Sequence, residues 1–156
     1  MSSLPIRRRI LGVDFGRARI GIAVSDELGL LAHPVTTIPT SREAAKQIAD
    51  IVREKNAERV VIGLPRHMNG SEGEAAGEAL AFAEKLRKLL PCEVVTWDER
   101  LTTIAANRAL REGGRKTRDS RNVVDQVAAQ MILQGYLDGL QSARDHHPER
   151  KVFPRD

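Results

Sequence analysis

Three carboxylates from distant parts of this chain, together with arginines near the first of them, carry its chemistry. Asp14 ends an apolar run, Ile10-Leu11-Gly12-Val13-Asp14-Phe15-Gly16. The turn Gly16-Arg17-Ala18-Arg19 leads into a second such run, Ile20 to Asp26, so the segment reads as a hairpin with a carboxylate and two arginines at its tight end. That arrangement suits a phosphate and a divalent cation. The plainer alternative is that Asp14 accepts hydrogen bonds from the turn.

A second acidic pair, Asp98-Glu99, closes the apolar run Val94-Val95-Thr96-Trp97. The carboxyl edge of a buried parallel strand is where open α/β sheets bind ligands. Strand alternation sends the two side chains to opposite faces, so at most one of them is expected to face the same cavity as Asp14. Otherwise, Asp98 caps a following helix and Glu99 pairs with Arg100. The third carboxylate, Asp125, lies in a helical pattern from Asn122 to Leu140. Projected at roughly 100° per residue, Gln126, Gln130, Gln134 and Asp138 form a polar stripe, whereas Asp125 falls among Ala128, Ala129, Ile132 and Tyr136. A carboxylate on an apolar face needs a cation, a hydrogen-bond network or a metal. The candidates for a purely structural role are Arg121 or N–H groups at the helix terminus.

Phosphodiester hydrolysis requires a nucleophilic water, neutralised non-bridging oxygens and a stabilised leaving group. Two Mg²⁺ ions about 3.5–4 Å apart supply all three. Carboxylates are the hard oxygen ligands such ions take, and Asp14, Asp125 and Glu99 or Asp98 have a common reason to converge on Mg²⁺ or Mn²⁺. Clustered carboxylates also repel one another, so the ion should stabilise the fold.

The composition is consistent with a nucleic-acid partner. The chain has 156 residues, 41% of them hydrophobic, and carries 25 Lys and Arg against 21 Asp and Glu, a net charge of +4. Positive charge gathers at Arg7-Arg8-Arg9, at Arg17 and Arg19, and between Arg111 and Arg121, where Arg115, Lys116, Arg118 and Arg121 follow Gly113-Gly114. With Arg100 these are the candidate phosphate contacts; each cluster could equally be solvated charge. Aromatic residues are only 3%, too few for a base-stacking platform, so nucleic acid would be held by backbone and shape. The single cysteine, Cys92, precedes an apolar strand and reads as a small packing residue. His146-His147 lie in a charged tail and read as solvated. No signal-peptide pattern or membrane-length apolar run is present, and a cytoplasmic protein without a membrane partner is expected.

The length suits a single domain, 1–156, with an ordered core at about 8–140 and a flexible tail at 144–156. After the hairpin, a third strand is expected near 35–38, then a helix capped by Thr40 or Ser41 and running to about Lys55. Asn56-Ala57-Glu58 breaks that helix. Arg59-Val60-Val61-Ile62-Gly63-Leu64 reads as a strand buried on both faces. A helix from about Glu74 to Leu90, the strand Glu93–Trp97, and helices near 102–111 and 122–140 follow. The fold class is mixed-sheet α/β, with three hairpin-type strands and two parallel ones.

Several ordered motifs resemble the YqgF/RuvX family. They are Leu11-Gly12-Val13-Asp14-Phe15-Gly16 with Arg19-Ile20-Gly21-Ile22-Ala23-Val24-Ser25-Asp26, Gly63-Leu64-Pro65 with Met68-Asn69-Gly70, Asp98-Glu99-Arg100-Leu101-Thr102-Thr103, and Asp125 with Ile132 to Asp138. The resemblance spans about 8–140. It implies a ribonuclease H-like fold related to the RuvC resolvases, with a five-stranded mixed sheet and Mg²⁺-dependent nuclease chemistry. Family members are described as candidate Holliday junction resolvases or as candidate nucleases for the 5′ end of the 16S ribosomal RNA precursor. By position, Asp14, Glu99 and Asp125 match the family's acidic residues. Two departures stand out: His67 occupies a loop position where the family usually has Asn, and the fourth strand ends in Gly63-Leu64-Pro65 without the carboxylate that ribonuclease H and RuvC carry there. Either Glu99 substitutes from the neighbouring strand or the site holds one ion.

The expected function is therefore a metal-dependent endonuclease of structured nucleic acid that matures precursor 16S ribosomal RNA. The alternatives are a DNA junction resolvase, which needs a homodimer for two symmetric cuts, and a non-catalytic RNA or ribosome-assembly factor. Monomer and homodimer both remain open. A nucleotide-binding ATPase fits least, because the chain has neither a P-loop nor a second domain.

Overall fold

The computed structural model describes residues 9–65, 70–99 and 118–146. Strands β1 (Arg9–Phe15), β2 (Arg19–Ser25) and β3 (Ala32–Pro39) are followed by α1 (Ala44–Lys55), β4 (Ala57–Leu64), α2 (Gly70–Leu89), β5 (Glu93–Asp98) and α3 (Arg118–His146). The five strands form one sheet in the order β3-β2-β1-β4-β5. The β1–β2 and β2–β3 pairs are antiparallel, and the β1–β4 and β4–β5 pairs are parallel. The carboxyl ends of β1, β4 and β5 therefore lie along one edge.

Strand alternation sorts the side chains into two cores. Leu11, Val13, Ile20, Ile22, Val60 and Ile62 pack with Ile48 and Val52 of α1 and Ala83 and Leu86 of α2. On the other face Ile10, Ala23 and Val61 pack with Ala128, Ala129, Ile132 and Leu133 of α3. Cys92 is half-buried beside the first core, and burial pushes its thiol up, as expected of a packing residue.

The elements differ from expectation mainly at their ends. β3 is longer than the 35–38 segment, α2 begins at Gly70 rather than Glu74, and α3 runs from Arg118 to His146, into the segment expected to be tail. The helix expected near 102–111, His67, and positions 147–156 lie outside the described residues. Neither Thr40 nor Ser41 caps α1. The N-cap is Glu43, without a side-chain bond; Ser41 Oγ accepts from the Glu43 N–H just ahead of the helix at 3.2 Å. Thr40 instead donates its hydroxyl to the Gly16 carbonyl at 2.7 Å, tying the end of β3 to the β1–β2 turn. Asn56 stops α1 in the left-handed conformation, φ 56°.

Glycines let α3 lie close to the sheet. A Cβ at Gly12 would stand 2.7 Å from Leu133 Cβ and 3.1 Å from the Ala129 carbonyl oxygen. At Gly21 it would meet the Asp125 carbonyl oxygen at 2.0 Å, and at Gly63 it would meet Ile132 Cδ1 at 2.5 Å. The helix thus rests on β1, β2 and β4 at places where only hydrogen can fit.

The polar stripe of α3 clamps the β2–β3 turn. Gln134 Oε1 accepts from the Ala32 N–H at 2.9 Å, Gln130 Nε2 donates to the Ala32 carbonyl at 3.0 Å, and Gln134 Nε2 donates to the Leu30 carbonyl at 2.8 Å. Within the turn, Asp26 Oδ1 accepts from the Leu30 and Leu31 N–H groups, and Gly29 takes φ +72°. Burial pulls the Asp26 carboxyl up. The N–H groups of Leu30, Leu31 and Gly29, with His33, outweigh that and hold it below its ordinary 3.8. No described helix is long and apolar enough to cross a membrane.

Two experiments test this packing. Gly21→Ala should cost at least about 2 kcal/mol in urea denaturation. Gly77→Ala, on an α2 surface with nothing within 4 Å of the added carbon, should instead gain about 0.5–1 kcal/mol. Because the folded Asp26 carboxyl titrates lower than the unfolded one, its charge stabilises the fold above the unfolded value, and that stability is lost as pH falls through the folded one. Asp26→Asn should therefore cost about 1 kcal/mol at neutral pH, with the difference vanishing as the melts are taken down from about pH 5 to pH 2.

Candidate metal and phosphate site

Asp14 follows Ile10 and Gly12 at strand spacing, which puts it on the α3 face at the carboxyl end of β1. It pairs with Gly21 across β2, the glycine on which the Asp125 backbone rests. On its other side Val13 pairs with Ile62, so the next step along both strands sets Asp14 level with Gly63. Glu99 reaches the same place from β5: its Oε2 is 3.0 Å from where a Gly63 side chain would begin. Asp14 and Glu99 are the two buried acidic residues among those described, 7% and 8% exposed. Both contribute hard oxygen donors on one face, beside one glycine floor, a donor set that fits a divalent ion.

Asp98 takes the opposite place. It registers with Leu64, whose side chain belongs to the α1–α2 core. Of the Asp98–Glu99 pair, Glu99 is therefore the one that shares the Asp14 face.

Asp125 stands over Gly21, yet its carboxylate engages Arg19. The Arg19 Nε–H donates to Asp125 Oδ2 at 2.6 Å, with the two side chains 33% and 17% exposed. Among the described residues, a cation for the apolar-face carboxylate comes from β2, 106 residues away. Among the described residues, no three His, Cys, Asp or Glu side chains gather closely enough to hold an ion in common. Of the three expected carboxylates, Asp14 and Glu99 are buried on the α3 face and Asp125 bonds Arg19.

The second hairpin arginine is likewise engaged. Arg17 donates through Nε to Glu78 at 2.8 Å and through Nη2 to Glu74 at 3.2 Å, both on α2. The Glu78 and Glu74 carboxylates push its already high pKa further up. This contact is solvent-exposed and salt-screened, unlike that of Arg19. Arg100, Arg115 and Lys116, and the side chains of Arg118 and Arg121, lie outside the described residues.

Beside Glu99, Trp97 packs edge-on against Tyr136 of α3, with ring centroids 5.7 Å apart. The Tyr136 hydroxyl accepts from Arg59 Nη1 at 2.7 Å, and Arg59 pairs with Glu93. This chain of contacts fixes the end of β5 against α3 and was missed in the sequence, as were the glycine floor and the acidic partners of Arg17. Glycine within three apolar strands was the available signal for the floor.

Comparison with known proteins places these features in context. The profile of the RuvX family, described as Holliday junction resolvase, matches residues 8–139. A Nocardia farcinica protein described as a candidate pre-16S rRNA nuclease is 48% identical over 143 residues, covering 86% of this chain and 79% of the relative. A Clostridium tetani protein of the same description is 44% identical over 134 residues, covering 85% and 97%. Among solved structures, Thermus thermophilus RuvC in complex with a Holliday junction substrate superposes with a TM-score of 0.56 at 13% identity, covering 86% of this chain and 96% of that one. That similarity establishes a RuvC-like, ribonuclease H-type fold.

A double-mutant cycle with Arg19→Gln and Asp125→Asn, read by chemical denaturation, should give a coupling of about 1–2 kcal/mol. Arg17→Gln should leave the melting temperature unchanged within error.

Proposed function

Since this chain belongs to the RuvX family, we propose that it is a metal-dependent endonuclease of structured nucleic acid that trims precursor 16S ribosomal RNA in the cytoplasm. One observation carries the reading. Two buried carboxylates, Asp14 and Glu99, lie on the α3 face of the sheet at its carboxyl edge, Glu99 beside Gly63, and supply the kind of hard oxygen donor that phosphodiester chemistry uses. The relatives' descriptions favour the RNA substrate.

Asp14 and Glu99 would hold the ion, Mg²⁺ or Mn²⁺. When bound, such an ion neutralises charge on the phosphoryl group and lowers the pKa of its water. The protein's part is positional. Burial of the two carboxylates under α3 limits competing water, and the β1–β2 turn brings Arg17 and Arg19 to the edge that the nucleic-acid backbone must approach. Arg17 contributes after exchanging its exposed Glu74 and Glu78 partners for phosphate, which makes binding strongly salt-dependent. Arg115, Lys116, Arg118, Arg121 and Arg100 supply further backbone contacts in this reading.

Junction resolution is the second reading, favoured by the description of the family and by the RuvC complex. It requires a homodimer, because two symmetric cuts need two sites. Purified protein incubated with end-labelled precursor RNA and with a four-way DNA junction, in Mg²⁺ or EDTA, separates the readings. Metal-dependent cutting that Asp14→Asn reduces at least about 10³-fold, with binding retained, is expected on the RNA. Preferential junction cutting by a dimer would select the second reading, and binding without cutting would mark an assembly factor.

A further inference from the structure

Resting on the nuclease reading above, we propose that Thr40 is a positioning residue for Arg17: it clamps the β1–β2 turn, so that the arginine meets a phosphate from a backbone already in place. Thr40 is half-buried and follows Pro39, the last residue of β3, which registers with Arg19 at the start of β2. From there it donates twice into the turn. Its hydroxyl bonds the Gly16 carbonyl at 2.7 Å, and its backbone N–H bonds the Ala18 carbonyl at 3.0 Å. Each carbonyl carries its whole peptide plane with it, so the plane entering Arg17 and the plane leaving Ala18 are both held. Between them lie Arg17 and Ala18, and of the two only Arg17 has a side chain that reaches beyond the turn.

The rest of the turn leaves Arg17 as the part that moves. A Cβ on Gly16 would stand 2.7 Å from the Arg19 carbonyl oxygen, so the chain is tight at its first corner. Phe15, just before it, packs on Phe82 of α2 with ring centroids 4.8 Å apart. Arg17 itself bonds Glu74 and Glu78 through exposed contacts that a phosphate can replace. With the backbone clamped, that exchange turns side-chain torsions alone; a loose turn would have to be ordered in the same step, which weakens binding. Threonine suits the clamp because its branched Cβ restricts χ1 and its hydroxyl donates. Serine keeps that donor, whereas valine keeps the shape and removes it. A merely structural Thr40 would close β3 onto the turn with no dependence on Arg17, and this separates the two roles.

The test reads binding without cleavage. Affinity of the full-length protein for a fluorescently labelled RNA hairpin is measured by anisotropy in EDTA, with folding of each variant checked by circular dichroism. Thr40→Val should bind about three- to tenfold more weakly, the weight of one hydrogen bond, and Thr40→Ser within about twofold of the unaltered protein. Arg17→Gln should bind at least as weakly as Thr40→Val, and adding Thr40→Val to it should cost less than about twofold more. Unchanged affinity in Thr40→Val, an undiminished loss in the Arg17→Gln background, or a loss that Thr40→Ser shares would each overturn the proposal. Should Thr40→Val not fold, Thr40→Ala is judged by the same outcomes. An Arg17→Gln that binds as tightly as the unaltered protein removes Arg17 as a phosphate contact and the proposal with it. No RNA binding in any form would instead remove the nuclease reading on which the proposal rests.

Discussion

The close approach of α3 to the sheet is the constraint on which the candidate site depends. Gly12, Gly21 and Gly63 let helix atoms occupy space that side chains fill in most strands. With the helix that near, the Asp125 backbone rests on β2, Ile132 fills the volume above Gly63, and Glu99 is bounded on one side by the same glycine. A larger residue at any of the three positions would lift the helix and move an acidic residue with it. Core packing and site geometry are therefore one property here, because interiors at crystal-like density do not yield locally.

Within that frame, charge is distributed unevenly. Asp14 and Glu99 are buried together on the α3 face, Asp125 is answered by Arg19, and Arg17 is answered by glutamates at the surface. The two arginines of one tight turn thus have different availability. One is anchored between β2 and α3 and changes partners reluctantly; the other exchanges with any anion that reaches it, at a rate set by ionic strength.

Much of this was legible from local pattern. Alternation placed Asp14 at a strand end and separated Asp98 from Glu99, and helical projection singled out Asp125 as a carboxylate on an apolar face. What the pattern could not supply was the partner. Arg19 and Asp125 are 106 residues apart, and nothing local distinguishes Arg19 from Arg121 as the answering cation. The partner of the glutamine stripe was hidden for a related reason. Gln130 and Gln134 read as part of a polar stripe, and amides on a helix surface can serve a neighbouring turn whose backbone groups need partners, as those of Leu30 and Ala32 do. Thr40 was drawn away from the expected cap by the Gly16 carbonyl, which sequence does not place nearby. Helix ends were off by several residues because fraying and capping are decided by tertiary contacts.

The position of α3 in the chain has a consequence for synthesis. The sheet face formed by Ile10, Gly12, Ala23 and Val61 is covered by the helix Arg118–His146, the last described element to be made. A nascent chain that has completed all five strands still shows that apolar face to solvent, with Asp14 and Glu99 uncovered and no Asp125 to engage Arg19. The interval between translation of β5 and of α3 is thus the period in which the polypeptide is most open to aggregation and to chaperones. Both halves of the acidic site are completed by the same late event, so the chain acquires its candidate chemistry and its resistance to aggregation together.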